Sequence, residues 1–283
     1  MSLEQQVANL VEASNNLTGA VKEKIGEIDK KVNEATQSVP NTIRAMASAN
    51  FYVSNSGSDA DNDGTLAKPF KTIHHALSKA MTGSLVNIYI EDNQEYICES
   101  NNHNNLCNGK DILISTFGSS GVKPKLRFRM TQNPDGKFNG GYICNYFEGS
   151  RFSLTISGVD LIHEQVPEGG SPYSSDSYGG VVTRGTSSAG GIDVTLRLSN
   201  CSVVTGDHPF VTGQMGYLNI HLSATPITKG GNIERFLPGV GLRMGRIICL
   251  YAVSISGFTS NAPKDVFQYD ETKIASVLGG GLS

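Results

Sequence analysis

The sequence predicts two materials in one chain: an N-terminal α-helical coiled-coil stalk and an all-β body of repeated strand units. Three observations carry this. Only 17% of the 283 residues are charged, whereas Gly, Ser, Asn and Thr make up 102 of them, about 36%. That composition suits turns and strands better than a helical bundle. All 21 aromatic residues lie at or after Phe51, as do 30 of the 32 glycines, and there is no tryptophan. Beyond residue 50, short runs rich in Val, Ile, Leu and Thr recur between Gly, Asn, Ser and Pro.

The stalk is read from Leu3, Val7, Leu10, Leu17, Val21, Ile25, Ile28 and Val32, continued by Ala35 and Val39. Their steps are mostly three and four, the pattern of a coiled-coil seam. Ser14 stands at one expected core position, and Val21–Ile25–Ile28 shifts the register by one residue, a stutter that locally unwinds a supercoil. Glu23, Lys24, Glu27, Lys30, Lys31 and Glu34 fill the outer face. With no aromatic residue the stripe cannot make a globular core alone. It either lies on its own body as an amphipathic helix or associates with copies or a partner; the preferred reading is an oligomerising stalk. Helical throughout residues 3–39, it would be roughly 55–60 Å long. Pro40 is expected to break it, with Asn41-Thr42 capping a further short turn through Ala49. Mixed Val, Ile and Leu at the core positions leaves the number of strands open.

In the body, strands are expected at 85–91, 111–117, 125–130, 142–147, 152–162, 192–205, 217–228 and 246–258. The later ones resemble one another: SLTISGVDLI (153–162), TLRLSNCSVV (195–204), LNIHLSATPI (218–227) and CLYAVSISGF (249–258). Each alternates aliphatic residues, has a small residue near its middle, and continues into a second short strand. Their starts lie 42, 23 and 31 residues apart. A period in the low twenties with insertions is how a β-solenoid reads, because stacked units share a core that none can build alone. A β-sandwich predicts similar strands. Sandwiches, however, lean on tight hairpins, and Asn-Gly or Asp-Gly pairs such as 63–64, 108–109 and 135–136 are scarce.

Composition also narrows the partners. A net charge of −3 gives no basic footprint for nucleic acid and no polybasic membrane patch. No apolar run approaches the ~20 residues needed to span a bilayer, and MSLEQQVANL lacks the basic and apolar regions of a signal peptide. The five cysteines (98, 107, 144, 201, 249) form no CxxC pair and are expected to be buried free thiols of a protein folded in a reducing cytosol. No cofactor is expected.

The junction is the most specific segment. It runs Phe51-Tyr-Val-Ser-Asn-Ser-Gly-Ser-Asp59-Ala-Asp-Asn-Asp63-Gly64-Thr65, then Lys68-Pro-Phe70-Lys-Thr-Ile73-His-His-Ala76-Leu77. Over about 27 residues it resembles the opening of the right-handed parallel β-helix domain of bacteriophage tailspikes and tail fibres. Phe51–Ser54 then reads as a first strand, the Asp/Asn/Gly cluster as a turn, and Phe70–Met81 as an amphipathic helix. Phe70, Ile73, Ala76, Leu77 and Ala80 would form its buried stripe and cover the end of the stack. The resemblance implies a homotrimer in the virion tail, assembled in the host cytoplasm. Residues 1–50 would be the stalk holding other tail proteins, 51–83 the cap, 84–262 the β-helix and 263–283 a tail, with a bacterial surface polysaccharide as the receptor.

Candidate site residues follow. Asp59, Asp61 and Asp63, with Gly64, match the front of a calcium loop, but position twelve is Phe70 rather than a bidentate Glu, so an Asx-rich turn is expected. Tailspikes often cleave glycans, and hydrolysis needs two carboxylates ~5–9.5 Å apart. Asp160 and Asp207, near equivalent positions of two repeats, and Glu164 are the weak candidates. The insertion 165–191 is rich in Tyr, Ser and Gly, the composition of adaptable recognition loops. Tyr173, Tyr178, Asp176 and Arg184, flanked by Phe138, are its binding candidates. The expected function is a tail fibre or small tailspike that recognises a host glycan. The alternatives are a polysaccharide depolymerase and an architectural collar carrying another receptor-binding protein.

Overall fold

A computed structural model describes residues 2–100, 107–146, 151–173, 179–184, 193–212, 217–237, 245–268 and 279–280. The chain divides into two compact units, 1–47 and 48–283. The first is a single helix, α1 (Leu3–Ala47), of 45 residues and ~68 Å. It runs through Pro40, which corrects the expected break. A proline deletes one backbone hydrogen bond, and the helix continues on either side of it. The whole seam lies open in the single chain: Leu3, Leu10, Leu17, Ile25 and Ile28 are each more than half exposed, and Val7, Val21 and Val32 are comparably so.

The second unit is built on parallel strands. Its large sheet joins β1 (Ser48–Val53), β2 (Leu85–Glu91), β4 (Asp111–Phe117), β9 (Arg151–Ser157), β12 (Asp193–Ser199), β14 (Tyr217–Ser223), β16 (Gly245–Tyr251) and β18 (Gly279–Gly280), side by side in that order. The smaller sheet holds β3 (Glu95–Cys98), β5 (Lys125–Phe128), β10 (Asp160–His163), β13 (Ser202–Thr205), β15 (Ile227–Lys229) and β17 (Ile255–Ser256). Every pairing within these two sheets is parallel. From β2 onward the chain visits the large sheet and then the small one, repeatedly. It returns through a third, sparser ladder. There β8 (Cys144–Tyr146) pairs with β11 (Val182–Arg184), and the amides of Val181, Phe210 and Phe236 donate to the carbonyls of Phe210, Phe236 and Val266. A short hairpin, β6 (Met130–Gln132) with β7 (Phe138–Gly140), leaves the stack.

Alternation of side chains places every second residue of the large sheet inside. Val86, Ile112, Leu154, Leu196, Ile220 and Ile248 form one buried column, and Ile88, Ile114, Ile156, Leu198, Leu222 and Leu250 the next. At the other end of the core, Phe128, His163, Phe210, Phe236 and Phe267 stack in sequence, centroids 4.3–5.1 Å apart. The pairing also corrects the repeat alignment: Ser153, Thr195, Asn219 and Ile247 share one register, offset by 42, 24 and 28 residues. The small residue of each repeat lies directly after its long strand. Gly158, Asn200, Ala224 and Ala252 all take positive φ there, at 73°, 52°, 47° and 49°. That left-handed corner turns the chain from the large sheet into the small one.

The junction is knit locally. Asp59 accepts hydrogen bonds from the amides of Lys71 (2.8 Å) and Thr72 (3.1 Å) and from the Thr72 hydroxyl (2.7 Å). Thr72 in turn caps α2 (Ile73–Lys79) by accepting from the His75 amide. Gly64 sits at φ +80°, and a Cβ there would fall within 2.8 Å of the Phe51 ring and closer still to that of Phe70. Phe70, Ile73, Ala76, Leu77 and Ala80 are buried, and Lys110 reaches across to the Leu77 carbonyl at the helix end (2.8 Å).

Two cysteines depart from expectation. Cys107 and Cys144, both buried, form a disulfide, with Cα atoms 5.5 Å apart. Cys98, Cys201 and Cys249 are free. Stacking brings together positions 37 residues apart, which spacing along the chain does not reveal. Burial pushes the Cys98 thiol up to about 12 and that of Cys201 upward as well.

Candidate functional site

The three carboxylates proposed for hydrolysis are each held by hydrogen bonds to neighbouring turns. Asp160 pairs in register with Ser202 and accepts its hydroxyl at 2.7 Å. Asp207 lies five residues beyond Ser202, roughly 16 Å along an extended chain, so Asp160 and Asp207 are not equivalent positions, contrary to the sequence reading. Asp207 is buried, and its two oxygens accept the amides of Val166 (2.7 Å) and Asn232 (2.6 Å), on the turns either side of its own. Glu164 accepts the Met130 amide at 3.0 Å. Successive turns below the small sheet are thus stapled by carboxylates to their neighbours' backbones. Such charge-assisted bonds are worth ~1.5–3 kcal/mol each. These acids hold the stack together.

The aspartates of the junction are likewise engaged. Besides Asp59, Asp61 accepts from the Ser58 hydroxyl at 3.0 Å, and Asp63 accepts the amide (3.1 Å) and hydroxyl (2.7 Å) of Thr65. The Thr65 hydroxyl is the main cause holding the Asp63 carboxyl below its usual range. This is the chemistry of an Asx-rich turn. Among the described residues no cluster of His, Cys, Asp and Glu is arranged to hold a metal ion.

Of the residues named as binding candidates, Phe138 and Tyr173 come together. Phe138 donates its amide to the Ser171 carbonyl (3.0 Å), and Tyr173 donates its own to the Phe138 carbonyl (2.8 Å), so the insertion continues the β6–β7 hairpin. The Lys137 ammonium stands 5.7 Å from the centre of the Tyr173 ring, within cation–π range. Beside them a cavity of about 370 Å³ is lined by Val166, Glu168, Pro172, Asp207, Asn232 and Ile233, among others. Arg184 lies on β11 opposite Tyr146. Asp176 and Tyr178 lie outside the described residues.

A larger groove, of about 520 Å³, opens on the outer face of the large sheet. Thr155, Arg197, His221 and Cys249 sit side by side across β9, β12, β14 and β16, and Ser199, Ser223 and Tyr251 form the next row. Burial and then the neighbouring Arg197 charge push the His221 pKa down. Tyr251 is 66% exposed. Sequence reading missed this site. The signal was present, since these residues alternate with buried Leu196, Leu198, Leu222 and Leu250, but the row appears only once the register is fixed.

No family model matches the chain, and no curated protein matches it. Among solved structures a rhamnogalacturonan lyase is similar, at 14% identity and a TM-score of 0.43, over 73% of this chain and 51% of that one. The chain therefore spans about half the length of that lyase. At that identity and score the likeness assigns no activity to this chain.

Proposed function

We propose that the chain is a self-associating fibre protein of a phage tail that presents its body to a bacterial surface polysaccharide without cleaving it. In this reading α1 is the stalk of a homotrimeric coiled coil, held to other tail proteins. The alternating strands of the second unit are turns of a closed, right-handed β-helix capped by α2. One observation carries the reading: along α1 the apolar stripe from Leu3 to Val32 is solvent-exposed in the single chain. The eight large aliphatic side chains of this stripe are unfavourable in water unless another helix covers them, at ~1.5–3 kcal/mol per buried side chain. The phage setting rests on the resemblance of residues 51–77. The non-catalytic role is supported by the engagement of Asp160, Glu164 and Asp207 in hydrogen bonds between turns. The glycan-facing end is the surface where Phe138 and Tyr173 meet.

Retention of the full chain on immobilised bacterial capsule and O-polysaccharides, with sizing of the glycan afterwards, tests this. Wild type is expected to be retained and to leave the glycan length unchanged. The double variant Val21→Asp/Ile25→Asp, which charges the stripe, should lose about a hundredfold in apparent affinity as multivalency disappears. Shortened glycan, or undiminished retention of the double variant, overturns the proposal.

A further inference from the structure

The groove on the outer face of the large sheet has its own chemistry. None of its lining residues belongs to the 165–191 insertion. Its size falls within the ~300–1,000 Å³ of small-ligand sites. Arg197 supplies a permanent planar cation with several donors, and His221 stands on the adjacent strand at the same register. Thr155, Ser199 and Ser223 add hydroxyls around them. The exposed Tyr251 ring gives a flat apolar platform with a polar tip. No Asp or Glu is among the lining residues described. On β12 the next carboxylate of that face is Asp193, four residues from Arg197 and therefore ~13 Å away. A site with a cation, hydroxyls and an aromatic plane, and no competing carboxylate, selects a hydroxylated anion.

We propose that this groove binds a carboxylated sugar unit of a surface polysaccharide, with Arg197 pairing the carboxylate and Tyr251 stacking on the ring. The proposal rests on the reading of the body as a glycan-presenting surface. It adds both the ligand class and a second place where the glycan is held. Arg197 and Tyr251 point away from the core, so Arg197→Gln and Tyr251→Ala leave the buried columns intact.

The test measures binding of the full chain to four probes: polygalacturonate, alginate, polysialic acid and fully methyl-esterified polygalacturonate. Wild type should bind at least one acidic polymer at least tenfold more tightly than the ester. Arg197→Gln and Tyr251→Ala should each weaken that binding tenfold or more, with the sedimentation behaviour unchanged. Equal binding of the ester and the acidic polymers overturns the inference, as does an Arg197→Gln protein that binds like wild type. An altered assembly mass in Arg197→Gln without any effect on glycan also overturns it, because the groove would then be a contact between copies. Retention of neither acidic nor neutral polymer by wild type removes the glycan-presenting reading itself.

Discussion

The aromatic stack contains one residue that titrates. His163 lies between Phe128, stacked at 4.3 Å, and Phe210 at 5.0 Å, and its Nε2 has no hydrogen-bond partner among the described residues. Burial, followed by the charge of nearby His208, depresses its pKa to about 3. In the unfolded chain an imidazole titrates near ~6.5. The folded pKa is the lower one, so between the two values the unfolded state binds the proton and the folded state does not. Stability is therefore complete above about pH 6.5 and is lost as the pH falls towards 3. At pH 4.5, about two units below the unfolded pKa, the loss from this residue is about 2.7 kcal/mol. His163→Phe keeps a ring in the stack and removes the titration. Urea unfolding of both proteins at pH 7.5 and 4.5, at one protein concentration, isolates the term, because every other group titrates in both. Wild type should lose about 2–3 kcal/mol more than the variant between the two pH values. Parallel losses would refute the burial argument, and so would a variant several kcal/mol less stable at pH 7.5.

Two further substitutions probe the corners and the staples. Ala224 is exposed and held at φ +47°, a conformation that costs a residue bearing a Cβ ~1–2 kcal/mol. Ala224→Gly should raise the stability by about 1 kcal/mol after the entropy of the unfolded chain is subtracted; a lower melting temperature would contradict this. Asp207→Ala leaves the amides of Val166 and Asn232 without their acceptor and should cost about 2–4 kcal/mol in denaturant unfolding. A structurally neutral Asp207→Ala would return that carboxylate to the list of residues free for chemistry.

How much of this was legible in the sequence differs from element to element. The spacing of Leu3 to Val32 is enough for a helix, because a 3.6-residue period needs no knowledge of the rest of the chain. The aliphatic alternation of 85–91 and 111–117 likewise gives strands whose bounds the structure reproduces. Register was harder. A period of two fits equally well after a slip of two residues, which sets Cys249 where Ile247 belongs, and loose matching of the repeats sets Leu218 one residue out, where Asn219 belongs. The third ladder is carried by segments as short as Cys144–Tyr146 and Val182–Arg184: the first falls within the expected strand 142–147, whereas the second is too brief for any periodicity to show. The Cys107–Cys144 bond and the Phe128-to-Phe267 stack depend on which turn lies above which. For the same reason the hydrogen-bond partners of Asp160, Glu164 and Asp207 are not legible in the sequence: each lies on a neighbouring turn, dozens of residues away along the chain.

The most direct test of the account is the mass of the intact assembly, because everything proposed for the fibre begins with the exposed stripe of α1. Sedimentation equilibrium of the full chain at micromolar concentration should give about 91 kDa, three times the 30.2 kDa chain. The Val21→Asp/Ile25→Asp variant should fall toward the mass of a single chain. A wild-type protein that sediments at 30.2 kDa over the same range would contradict the account.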